Sequence, residues 1–222
     1  MDSTIPISEI FGPTIQGEGI HVGRRAVFIR TVGCDSSCSW CDTKYARGGG
    51  HRMTVAEIVL AVNERSYCKL VVLTGGNPAI HDCGGLVDVL RSTGREVHVE
   101  TQGTVVPYWF RMAALVTICP KIASDSDFEH AKEAIRSTMA IASVQLKYVV
   151  FDGDDYRWAK SLSRAFPQLP MTIQPGYDCE WGTYPYGMAA LAEHVASDED
   201  LHDGVRFLPQ VHRLVWGNRR GV

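Results

Sequence analysis

Short apolar runs rich in β-branched residues alternate with helix-like segments along the chain, and no repeat or low-complexity stretch interrupts them. That alternation is the pattern of an α/β protein. The predicted strands are 26–32, 69–73, 97–100, 115–118, 145–150 and 171–174. Predicted helices fall at 54 to about 64, 84–92, 129–143, 154–165 and 186–196. The first of these opens on Thr54-Val-Ala-Glu57, a capping box in which the threonine accepts from a free backbone amide and the glutamate reaches back to the cap.

The segments after the strands are polar or glycine-rich: 33–41, 74–78, 100–103, 119–121 and 174–177. Parallel strands of a barrel present their carboxyl ends on one face, so these turns are expected to converge there and form the active site. An eightfold barrel takes about 250 residues, more than this chain of 222 can supply beside its two flanking segments. The expectation is therefore an incomplete (βα)6-type TIM barrel with N-terminal and C-terminal extensions, one domain over 1–222. A doubly wound open sheet competes, but the Gly-x-Gly-x-x-Gly turn is missing after the first strand.

Composition narrows the class. The chain is 45% hydrophobic with a net charge of −3 and seven cysteines. There is apolar material for one core, no global attraction for nucleic acid and no run long enough to span a bilayer. An odd cysteine count and a start at 1–9 without a charged-then-apolar leader point to a reducing cytoplasm rather than secretion. Small-molecule chemistry is the default.

The chemistry is concentrated in Cys34, Cys38 and Cys41, a C-x3-C-x2-C loop. Three thiolates on a 4Fe-4S cluster leave one iron without a protein ligand, where a closed electron-transfer site would use four. An open iron is how radical S-adenosylmethionine enzymes chelate and cleave their cofactor. A zinc site with His51 as fourth ligand is the rival on spacing alone, although the usual second cysteine pair or His-x3-His is missing. Cys68, Cys83, Cys119 and Cys179 stand singly and read mostly as small buried hydrophobes. Gly75-Gly76, directly after a strand, reads as a close backbone approach to a ligand, with Asn77 beside it.

Beyond spacing, the chain resembles the 7-carboxy-7-deazaguanine synthase (QueE) family. The resemblance rests on Glu-Ile-Phe-Gly-Pro-Thr-Ile-Gln-Gly-Glu-Gly at 9–19, Ala-Val-Phe-Ile-Arg at 26–30, the cysteine loop running into Cys-Asp-Thr at 41–43, and Thr-Gly-Gly-Asn-Pro at 74–78. Val-Glu-Thr-Gln-Gly at 99–103, Cys-Pro-Lys at 119–121, Gln-Pro at 174–175 and Leu-Pro-Gln-Val-His-Arg-Leu-Val-Trp-Gly at 208–217 complete it. It implies a radical ring contraction of 6-carboxy-5,6,7,8-tetrahydropterin to 7-carboxy-7-deazaguanine with loss of ammonia, a carbon–nitrogen lyase step of queuosine and 7-deazapurine biosynthesis.

By the same resemblance, Ile15, Gln16, Gly17, Arg30, Thr74 and Val222 bind the substrate, Arg30 through its carboxylate. Trp40, Cys41, Asp42, Gly76, Cys119, Pro120, Lys121, Gln174, Pro175, Gly176 and Tyr177 line the adenosylmethionine site. Cys34, Cys38 and Cys41 hold the cluster, and Thr43 offers a hydroxyl to magnesium. No side chain is assigned a catalytic step of its own. A flavodoxin-like or other electron donor and a homodimer are implied as partners. Two departures mark this chain: Asn77 where radical adenosylmethionine enzymes commonly carry glutamate, and Cys119 where serine often precedes Pro-Lys. The other readings open on the cysteine loop are a glycyl-radical activating enzyme and a non-catalytic zinc-binding module.

Overall fold

A computed structural model describes residues 4–65, 68–178 and 183–222. Its strands are β1 (Thr4–Ile15), β2 (Arg25–Thr31), β3 (His51–Thr54), β4 (Leu70–Gly75), β5 (Glu96–Thr101), β6 (Leu115–Ile118), β7 (Val144–Val150), β8 (Met171–Pro175) and β9 (Val205–Phe207). They form one sheet in the order β3-β1-β2-β4-β5-β6-β7-β8-β9. From β2 to β9 every neighbour is parallel, whereas β1 runs antiparallel to both β2 and β3. The sheet does not close, so the architecture is a partial barrel.

The six strands expected from sequence correspond to β2 and β4–β8. β1 escaped notice because Pro6, Gly12 and Pro13 interrupt it; its pairing with β2 slips at two places, and bulges tolerate such residues. Short β3 and β9 carry too little pattern to be read.

Helices α1 (Val55–Asn63), α2 (Gly84–Ser92), α3 (Asp125–Met139), α4 (Gly153–Ala165) and α5 (Met188–Ser197) pack on the sheet, and α6 (Val211–Trp216) follows β9. The capping box of α1 is present, with Thr54 Oγ1 accepting from the Glu57 amide and Glu57 accepting from the Thr54 amide. α3 starts four residues earlier than expected. Ser124 caps it by accepting from the Asp127 amide, and Asp125 and Asp127 complement the amino end.

Alternation along the strands separates two surfaces. Val27, Ile29, Val71, Leu73, Val97, Val99, Leu146 and Ile173 join Ile58, Leu86, Leu90, Ile135 and Leu162 of the helices in the main core. The intervening residues point the other way. Ala26, Phe28, Leu70 and Val72 form a small apolar patch covered by Phe11. Further toward the carboxyl ends the same surface turns polar, with Arg30 opposite Thr74, Glu100 opposite Thr117, and Thr117 opposite Gln145.

The link from β1 to β2 fills this inner surface. Its Ile20 amide donates to Gln145 Oε1 (2.9 Å), Gln16 Nε2 donates to Glu100 Oε1 (3.0 Å), and Lys147 is ion-paired with Glu18. Gly19 is fixed there by its φ of +67° and by Gln145, which a Cβ would meet at 2.7 Å.

At the far side of the link, Arg24 grips both Glu96 oxygens (2.8 and 2.7 Å), and His98 Nε2 lies 2.7 Å from Glu96 Oε1. Among the described residues, His21, Glu96 and His98 are the one His/Cys/Asp/Glu trio whose ligand atoms gather within 4.8 Å. The Arg24 guanidinium already supplies the cation at that cluster. The hydrogen bond from Arg24 holds the Glu96 carboxyl down at about 2, and burial pushes both imidazoles below their usual value.

Candidate active site

The turns after the parallel strands line one cavity at their carboxyl ends. The cysteine loop leaves β2, Gly75 ends β4 with Gly76 after it, Thr101 ends β5 with Gln102 after it, Cys119 and Lys121 follow β6, and Phe151 and Tyr177 follow β7 and β8. All six residues expected at the substrate, Ile15, Gln16, Gly17, Arg30, Thr74 and Val222, face this cavity. So do Cys34, Cys38, Cys41 and Thr43, together with Trp40, Asp42, Gly76, Cys119, Lys121, Gln174 and Tyr177.

Pro120, Pro175 and Gly176 do not line it. Pro120 sits in an adjoining hollow with Cys38 and Trp40. Pro175 is buried at the end of β8, and the space a Cβ of Gly176 would take is filled by the Phe151 ring. His51 begins β3 at the sheet edge, and among the described residues it does not gather with the cysteines into a trio of metal-ligand atoms.

The glycine pair is explained by contacts inside the protein. A Cβ on Gly76 would meet Gly33 O at 2.0 Å, and one on Gly75 would meet Thr31 Oγ1 at 2.3 Å. The close approach is thus between β4 and the cysteine loop. Asn77, expected beside the cofactor, is fully buried beneath that loop. Its amide oxygen accepts from Thr101 Oγ1 (2.8 Å) and the Ala79 amide (3.1 Å), and its Nδ2 donates to Asp35 and Thr104 (3.0 Å each).

Cys68 and Cys83 are buried as expected, and Cys119 is buried with its sulfur 3.2 Å from Lys121 Nζ; Cys179 lies outside the described residues. Lys121 Nζ stands 4.7 Å over the Trp40 ring, which in turn packs on Phe151. Thr43 occupies the cap position of the 3-10 turn Lys44–Arg47 without a capping bond from its side chain. Its hydroxyl lies 3.6 Å from Cys41 Sγ, at the cavity wall.

Glu18 and Lys147 at the cavity were given no role by sequence, and Glu100 only a weak one as part of the strand-end turn 100–103. Glu100 accepts from Gln16 on one oxygen and from Thr74 Oγ1 on the other (3.0 Å each). Burial works to raise the Glu18 carboxyl, but Lys147 and His212 with the hydrogen bond from Gln210 outweigh it and hold it well below the usual carboxylate range. Burial likewise opposes the Lys147 ammonium, and Glu100 and Glu18 overcome it, so its pKa is raised. The signal was present in β7, where Gln145 and Lys147 alternate with apolar residues on a strand otherwise suited to the core.

Arg30, which lines the cavity, donates through Nε to Glu9 (2.9 Å). Glu9 also accepts from Tyr45 (2.8 Å) and Arg220 (2.8 Å). Residues 210–222 cross the opening on such contacts: Gln210 to Glu18 (2.6 Å), Arg213 to Asp42 (2.8 Å) and Arg220 to Glu9, with the Arg220 guanidinium 3.8 Å over Tyr45.

The donors suit a cluster better than a single ion. The three thiols line one wall without gathering within 4.8 Å of one another, whereas one zinc ion with Zn–S of about 2.3 Å would hold sulfurs about 3.8 Å apart. Opposite them Gln174, 1% exposed, carries an Oε1 with no hydrogen-bond partner among the described residues, an acceptor suited to a bound donor.

A partial parallel barrel with three cysteines after its first parallel strand defines the radical S-adenosylmethionine class, and the sequence profile of the radical SAM superfamily matches residues 28–140. A 7-carboxy-7-deazaguanine synthase of Bacillus subtilis is 35% identical over 244 aligned residues, covering 100% of both chains. One from Pyrobaculum aerophilum is 32% identical over 98% of this chain and 97% of its own. The chain belongs to the 7-carboxy-7-deazaguanine synthase family. The crystal structure of QueE from Escherichia coli superposes with a TM-score of 0.70 at 23% identity, over 94% of this chain and 95% of that one, in keeping with the fold.

Proposed function

We propose that the chain, as a single domain, converts 6-carboxy-5,6,7,8-tetrahydropterin to 7-carboxy-7-deazaguanine and ammonia, a carbon–nitrogen lyase reaction. The observation that carries it is one cavity with the cysteine loop on one wall and Gln16, Arg30, Thr74 and Glu100 on another. When bound, a 4Fe-4S cluster on Cys34, Cys38 and Cys41 and adenosylmethionine beside it supply one-electron radical chemistry.

The side chains position the substrate. The Arg30 fork, fixed through Nε by Glu9, turns its terminal nitrogens to the pterin carboxylate. Glu100, steadied by Gln16 and Thr74, accepts from the ring N–H groups. Phe11 and Phe28, stacked at 5.0 Å, give the flat ring an apolar floor. Ile15, Gly17 and Val222 close around it. Trp40, Asp42, Gly76, Gln174 and Tyr177 with the Cys119–Lys121 turn accommodate adenosylmethionine. Thr43 would offer its hydroxyl, at the cavity wall, to a magnesium ion shared with substrate oxygens.

A flavodoxin-like donor supplies electrons, and the protein acts as a cytoplasmic homodimer. Among the described residues no helix is long and apolar enough to cross a membrane. The test is anaerobic reconstitution with iron and sulfide followed by assay with the carboxytetrahydropterin and a chemical reductant. Ammonia and 7-carboxy-7-deazaguanine are expected in equal amounts. Cofactor cleavage with no conversion of the pterin would sink the proposal.

A further inference from the structure

The first cysteine of the loop is held in a chain of hydrogen bonds. Gln102, at the end of β5 and 9% exposed, directs its Nε2 at two acceptors, Cys34 Sγ (3.3 Å) and Asp35 Oδ1 (2.7 Å). A thiol sulfur and a carboxylate on one side fix which end of the amide faces the loop, because only the nitrogen can serve both. Asp35 Oδ1 accepts in addition from Asn77 Nδ2, and Asp35 Oδ2 accepts from Thr104. Asn77 is anchored through its oxygen by Thr101 and the Ala79 amide. The chain therefore runs from the ends of β4 and β5 to the sulfur of Cys34.

We propose that Gln102 is a positioning residue that tunes the reduction potential of the cluster through its hydrogen bond to Cys34, with Asn77 and Asp35 holding its amide in place. This rests on the reading of the cysteine loop as a cluster site. Reduction adds an electron whose charge is spread over iron and sulfur, so a donor aimed at a ligand sulfur stabilises the reduced form more than the oxidised one. Asn77 suits this arrangement in a way that glutamate would not. Its Nδ2 donates to Asp35, whereas a carboxylate at 77 would set two anions face to face and release the brace on Gln102.

The experiment is a redox titration of the reconstituted cluster followed by electron paramagnetic resonance, without substrate, in the wild-type chain, Gln102→Leu and Gln102→Met. Iron and sulfide contents equal to wild type are expected, with the midpoint moved negative. At the wild-type midpoint the ratio of reduced to oxidised cluster should fall about threefold or more. Resonance Raman should show an Fe–S(Cys) stretching band shifted from wild type in the same variants.

Unchanged midpoint and unchanged bands in a fully loaded Gln102→Met would overturn the proposal. Loss of the cluster from both variants would assign Gln102 to folding alone and overturn it equally. A wild-type chain that assembles no iron and sulfide would instead overturn the cluster reading on which it rests.

Discussion

Lys147 and Glu18 keep opposite charges in the cavity wall where either alone would be costly. Replacing Lys147 by methionine leaves the Glu18 carboxylate buried with only His212 and Gln210 near it. Removal of one partner of a buried pair destabilises by about 3–5 kcal/mol, and the addition of Glu18→Gln should recover much of that loss in urea denaturation. A double variant no more stable than the single one would show that the pair is not coupled. Arg30 is tested by a smaller change. Arg30→Lys keeps the charge but cannot grip Glu9 and a carboxylate together, so KM for the pterin should rise about tenfold while cluster content holds. Wild-type kinetics would remove Arg30 from the site.

At the scale of elements, the cysteine loop is shaped by the end of β4 as much as by its own sequence. Gly76→Ala places a methyl 2.0 Å from Gly33 O, a backbone atom that cannot swing aside. The loop must shift, and iron retained after reconstitution should fall well below wild type, with about 1–3 kcal/mol lost in stability. Full iron content would show that the loop adapts freely.

The β1–β2 link makes its own prediction. Glu96 is held at about 2, first by the Arg24 hydrogen bond, against an ordinary value of 4.5. Because the folded value is depressed, its stabilisation is fully present above pH 4.5 and is lost as pH falls toward 2. Wild type should therefore exceed Glu96→Gln in stability at pH 6, and the two unfolding curves should converge as the pH approaches 2. A gap that stays constant across that range would exclude the pair as its source.

For the whole molecule, the segment 210–222 joins places far apart in sequence: it touches Glu18, Asp42 and Glu9 across the cavity mouth. Deleting 218–222 removes the Arg220 contact to Glu9 and Val222 from the cavity while leaving the cysteine loop intact. KM for the pterin should rise several-fold with cluster content and midpoint potential unchanged. A loss of iron in the truncated chain would show that the tail supports the loop rather than the substrate pocket.

The chain by itself determined the parallel strands β2 and β4–β8, the capped start of α1, the cysteine loop and the family, because these are carried by local periodicity, side-chain capping and contiguous motifs. Tertiary structure alone decided the rest. Strand β1 and the edge strands β3 and β9 exist through pairing with neighbours, since Pro6, Gly12 and Pro13 deny β1 a continuous pattern of its own. Lys147 and Glu18 become site residues only when the link from β1 folds under the sheet and brings positions 129 apart into one ion pair. Asn77 shows the same limit at one residue. Its motif placed it at the cofactor, but burial beneath the loop and the nearby carboxylate of Asp35 turned its amide into a brace for the cysteine that precedes it by 43 positions, a partnership fixed by packing in three dimensions.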